Sequence, residues 1–119
     1  MTPEEVRAYA LGRPGAWLDQ PWDGDDVAKV GGRIFAFLGR DAVGVKCGTR
    51  AEADEWLAEF PDDVTVMAYI GRHGWNTVRI SGAVPDDVLR EGIEESYARV
   101  VAALPKRDRP GAAGATPGG

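Results

Sequence analysis

One cysteine and one histidine are too few for most of the chemistry those residues support. Cys47 stands alone in 119 residues, which excludes an internal disulfide and a multi-cysteine zinc site. His73 has no second histidine with which to share a metal. No run approaches the ~20 apolar residues of a membrane-spanning helix. The opening MTPEEVRAYAL has neither a basic start nor an apolar stretch of signal-peptide length. A soluble, cytoplasmic protein with no membrane partner is expected. Basic residues are the minority, 14 against 19 acidic, for a formal net charge of −5. As an average, that balance argues against a nucleic-acid binder.

Catalytic signatures are missing too. Cys47 alternates with Lys46 along a predicted strand and should face the interior, where a lone cysteine behaves as a small hydrophobe. Asp23-Gly24-Asp25-Asp26 looks like a calcium loop only at first sight. Its glycine comes second rather than sixth, and Ile34 stands where the closing Glu belongs. Val30-Gly31-Gly32-Arg33 is a hairpin turn, because no helix follows it as a phosphate loop requires. No paired carboxylates or Ser-His-Asp set can be assigned, so neither an enzymatic activity nor a cofactor is expected.

What is present reads as one α+β domain over residues 1–104. Thr2-Pro3-Glu4-Glu5 and Thr49-Arg50-Ala51-Glu52 are helix starts of the capping-box type. Pro85 opens a third helix, with Asp86 and Asp87 in its positive first turn and Leu89, Ile93, Tyr97, Val100, Val101 and Leu104 as its apolar stripe. Strands are predicted over 27–30, 33–38, 42–47, 64–70 and 75–80, joined by Gly31-Gly32, Gly39-Arg40-Asp41 and Gly71–Gly74 turns. AWLDQPWDGDD, between the first helix and the first strand, reads as a loop. The order is α-β-β-β-α-β-β-α: two layers, a five-stranded antiparallel sheet with all helices on one face. Residues 105–119, rich in Pro, Gly and Ala, cannot bury enough surface to order themselves and read as a disordered tail.

Charge follows the elements. The sheet segments 27–50 and 64–84 together carry +6, whereas the helices with their loops carry −13. A basic sheet in front of acidic helices attracts phosphate despite a negative total, because distant charges are screened beyond ~8 Å at physiological salt. Alternation along RHGWNTVRI puts Trp75, Thr77 and Arg79 on the side away from the helices, and Lys46 joins them. An aromatic ring among cations stacks on bases and holds phosphates; the alternative is an indole covered by the tail or by the Trp17–Trp22 loop, with Arg79 stacked over it. The candidate contacts are Lys29, Arg33, Lys46, Arg72 and Arg79 for phosphate, Trp75 for stacking, and Asn76 or His73 for hydrogen bonding.

The stretches VAKVGGRIFAFL (27–38), VGVKC (43–47), RHGWNTV (72–78) and VPDDVL…SYARVVAAL (84–104), after GRPGAW…PW (12–22), resemble the MmcQ/YjbR family. That resemblance implies an α-β(3)-α-β(2)-α fold comparable to secretion chaperones and CyaY/frataxin-like proteins. It also implies a DNA-binding role, with Lys46, Arg72, His73, Trp75 and Asn76 at the matching positions. Here a glycine separates His73 from Trp75, where the family often has an adjacent His-Trp pair preceded by Asn-Lys. The chaperone-like fold implies an alternative partner, a protein or peptide, received on an apolar patch of Trp17, Trp22, Tyr69 and Trp75. A mitomycin-cluster namesake implies a third, a sequestered small molecule.

Overall fold

The computed structural model describes residues 1–111. Thr2 accepts from the Glu5 amide while the Glu5 carboxylate accepts from the Thr2 amide, and this reciprocal cap starts helix α1, Pro3–Leu11. Thr49 and Glu52 repeat the arrangement at α2, Arg50–Glu59. Helix α3, Asp86–Ala103, begins after Pro85 without a side-chain cap but with two Asp in its first turn. None of these helices is long and apolar enough to cross a membrane.

The sheet has six strands rather than five. They are β1 Ala16–Trp22, β2 Asp25–Val30, β3 Arg33–Leu38, β4 Ala42–Lys46, β5 Val64–Val66 and β6 Trp75–Arg79. Their order is β1-β2-β3-β4-β6-β5, with every neighbouring pair antiparallel. The added strand is the segment expected to be a loop. Pro21 and the surrounding acids suggest irregular chain, but β1 lies at the sheet edge, where a missing N–H costs nothing to a neighbour. Its register breaks between Asp19 and Trp22, the interval that holds Pro21. Asp23-Gly24 then turns the chain into β2, with Gly24 at φ +80°, as a two-residue hairpin demands. In the other direction, the strand expected over 64–70 ends at Val66.

The rows across the sheet define its two faces. Ala28, Ala36, Val45 and Asn76 form one row; Leu38, Val43, Val78 and Val64 form the next. Both face the helices and meet Val6, Ala10, Ala53, Leu89 and Ile93 in a single core. The register of β2 with β3 jumps from Ala28↔Ala36 to Lys29↔Ile34, so Phe35 is an extra residue in β3. Phe35 and Ala36 both turn inward, and the Phe35 ring meets Tyr97 of α3 edge-on at 5.2 Å. Buried Ser96 ties the bulge down. Its hydroxyl donates to the Phe35 carbonyl at 2.6 Å and accepts from the Lys46 amide at 2.9 Å.

Of the tail expected from residue 105, residues 112–119 lie outside the described residues. Lys106–Asp108 form a 3-10 turn, after which Arg109 donates to the Leu104 and Ala102 carbonyls that α3 leaves open.

Candidate functional site

The uncovered sheet face carries two rows: Val27, Phe37, Gly44 and Thr77 in one, and in the next Trp17, Lys29 and Ile34 on β1–β3, with Lys46 and Trp75 on β4 and β6 at the same end of the strands. Alternation therefore places Trp75 on the side opposite the helices. Its ring is half-buried by Phe37, which it meets edge-on at 5.6 Å and 80°. Met67 lies above Gly44; a Cβ on that glycine would sit 2.1 Å from the methionine methyl. Phe37, Met67 and Trp75 thus form an apolar strip over the glycine, where any side chain would have to displace the methionine methyl.

The hairpin tip between β5 and β6 is fastened from outside. Gly71–His73 make a 3-10 turn, and Gly74, at φ +91°, returns the chain into β6. Its carbonyl accepts from the Cys47 amide at 2.7 Å. Arg50, the first residue of α2, donates through Nη1 to the carbonyls of Gly71 (2.6 Å) and Trp75 (3.3 Å). Lys46 donates through Nζ to the carbonyl of His73 at 2.6 Å. Alternate carbonyls of the tip therefore point at cations. The exposed side chains of Arg72 and His73 are left free of ion pairs among the described residues. A shallow depression of about 540 Å³ follows, lined by Lys46, Arg50, Arg72, His73 and Arg99 against the single acid Glu52. Arg50 pairs with Asp54 at 2.9 Å and Arg99 with Glu95 at 3.2 Å, so the guanidinium of Arg72, unpaired among the described residues, is what suits this concave surface to an anion.

Four of the eight expected contacts, Lys46, Arg72, His73 and Trp75, converge here. The others do not. Asn76 is fully buried: Nδ2 donates to the Ala53 carbonyl at 2.9 Å, and Oδ1 accepts from Arg50 at 2.7 Å. It faces the helices with Val78 and is a structural bracket, withdrawn as a ligand contact. Arg33 is opposite buried Val30, because the Phe35 bulge reverses the alternation of β3. Its Cα belongs to the helix-facing row. Lys29 is on the open face but three strands from β6. It pairs with Asp19 at 2.7 Å and lies 5.3 Å over the Trp17 ring. That bond to Lys29 is the main reason the Asp19 carboxyl titrates below its usual range. Arg79 stands at the far end of β6, about 13 Å from Trp75 at strand spacing. It contacts Asp63 at 3.4 Å and the Asp62 carbonyl at 3.2 Å. The basic sheet counted along the chain is thus partly neutralised by acids that the fold brings to it.

Arg50 and Arg99 complete the depression without having been singled out. A cation in the first turn of a helix opposes the helix dipole. That mismatch at Arg50 was the available signal. Cys47, at the floor of the neighbouring α2–α3 groove, is buried, and this burial pushes its thiol up to about 11.

Comparison with known proteins is consistent with this architecture. The family model described as YjbR matches residues 11–99. Proteins named Uncharacterized protein YjbR in Escherichia coli K12 and in Escherichia coli O157:H7 are each 30% identical over 115 residues, covering 92% of this chain and 95% of the relative. A crystal structure of the Deinococcus radiodurans protein DR2400, a DUF419 domain, superposes with a TM-score of 0.79 at 22% identity, over 90% of this chain and 84% of that one. At that identity the likeness speaks for the fold alone.

Proposed function

The chain belongs to the YjbR family, and on that premise we propose that it binds nucleic acid through the β5–β6 hairpin tip and the adjoining open sheet face. The observation that carries the reading is the convergence of Lys46, Arg72, His73 and Trp75 beside the basic depression. Phosphate oxygens would lie against Lys46, Arg72 and His73, while a base stacks on the exposed part of the Trp75 ring. Low specificity is expected, since Phe37 and Met67 carry no strong hydrogen-bonding group and the Thr77 side chain beside Gly44 is short. Nothing in this arrangement calls for a catalytic step, and binding is the whole of the proposed activity.

The test is fluorescence anisotropy of labelled 12-mers, single-stranded and duplex, across a salt series. Counterion release gives a log–log slope near −0.7 per neutralised phosphate on a single strand and −0.9 on a duplex. Arg72→Ala, which removes no side-chain hydrogen bond or ion pair among the described residues, should shallow the slope by about one such unit. Absence of binding at low salt, or a slope that ignores both Arg72→Ala and Lys46→Ala, would sink the proposal.

One feature favours a second reading. Phe37, Met67 and Trp75 make an uncharged strip on a face that no helix covers, and such strips also receive protein or peptide partners. Binding that is salt-insensitive and lost on Phe37→Ala or Met67→Ala would select that alternative.

A further inference from the structure

Resting on the nucleic-acid reading, we infer that Tyr69 is a second stacking platform and that the ligand is therefore an unpaired strand. Tyr69 is 94% exposed, the most exposed large apolar residue among those described. It is also the only non-glycine with positive φ among the described residues, at 65°. The Ile70 amide donates back to the Ala68 carbonyl at 2.7 Å, so Tyr69 occupies the apex of a γ-turn. With positive φ at its centre, that turn is rare and strained. The ring is buried against nothing, and the backbone beneath it is in a conformation that favours glycine. Folding alone does not account for a tyrosine there.

Position supplies the remaining argument. The Met67 amide donates to the Trp75 carbonyl at 3.2 Å. Tyr69 is two residues further on, hence within about 7 Å of Met67 along the chain. Arg72 and His73 follow in the same tip. One hairpin tip thus offers a half-covered ring at its base, a free ring on its γ-turn and, between them in sequence, the Arg72 guanidinium. Two π-faces separated by a phosphate-holding segment suit successive splayed bases. In a duplex those faces are stacked within the helix and cannot reach a ring.

Full-length chain and labelled oligo(dT) 12-mer, with a mixed-sequence 12-mer single strand and its duplex as controls, test the assignment. Tyr69→Gly should weaken single-strand binding about 5-fold or more, the loss expected for one stacked base. Its urea midpoint should not fall, because glycine accepts the φ. Tyr69→Phe keeps the ring and should bind like the parent. The salt slope should be unchanged in both, because stacking releases no counterions. Binding insensitive to Tyr69→Gly, yet weakened by Arg72→Ala, overturns this inference and leaves the phosphate reading standing. Equal weakening on single strand and duplex also overturns it. A parent chain that binds no oligonucleotide overturns both readings and leaves the exposed ring to a protein contact.

Discussion

Replacing Asn76 with alanine separates a structural role from a binding role at one of the expected contacts. The side chain is fully buried and makes two hydrogen bonds, one to Arg50 and one to the Ala53 carbonyl. A hydrogen bond to a charged group contributes about 1.5–3 kcal/mol and a neutral one about 1 kcal/mol. Arg50 is 25% exposed and recovers part of its loss from water. The Ala53 carbonyl, inside α2, keeps its helical partner. The expected destabilisation is therefore about 2–4 kcal/mol, which lowers Tm by about 10–25 °C in a domain of this size. Urea titration followed by tryptophan fluorescence measures it, with m unchanged if the native state keeps its compactness. A double-mutant cycle with Arg50→Ala should show coupling of at least ~0.5 kcal/mol, since the two side chains are in direct contact. A loss below ~1 kcal/mol, accompanied by weakened oligonucleotide binding, would refute the bracket and restore Asn76 as a ligand contact.

Gly74→Ala should be among the most damaging single changes, at about 3 kcal/mol or more, because the new Cβ would meet the Gly48 carbonyl oxygen at 1.8 Å and neither backbone can yield; thermal unfolding or failure to accumulate folded protein reports it. Gly44→Ala meets the flexible end of Met67 instead, so it should cost about 1–2 kcal/mol and shift Trp75 emission, and Met67→Ala in the same chain should recover most of the loss. The Cys47 thiol, raised to about 11 by burial, stays protonated in the folded chain while the unfolded thiol ionises near 9. The unfolded state then binds fewer protons, so this group's contribution to stability is constant below about pH 9 and falls between pH 9 and 11; Cys47→Ala should remove that part of the decline in a pH series of urea midpoints. For the same reason thiol labelling at pH 8 should be slow in the native chain and fast in denaturant.

Local chemistry accounts for the helices, the hairpins and the side of the sheet that Trp75 faces. Caps such as Thr2–Glu5 and Thr49–Glu52, glycine turns and period-two alternation each act over a few residues, so they can be read from a short stretch. Strand β1 was legible in principle, since Asp23-Gly24 marks a hairpin, but Pro21 points to loop until the segment is known to be an edge. The Phe35 bulge was not legible. It follows from fitting Phe35 against Tyr97, some sixty residues away, and it alone moves Arg33 off the open face. Membership of the candidate site was likewise settled by long-range pairing. The acids Asp19 and Asp63 reach Lys29 and Arg79 only after the sheet forms, and Arg50 meets the carbonyls of residues 71 and 75 only once α2 lies beneath the hairpin. Charge counted along a chain treats every lysine and arginine as free. Folding divides them into those held by carboxylates or carbonyls and those, such as Arg72, left facing solvent.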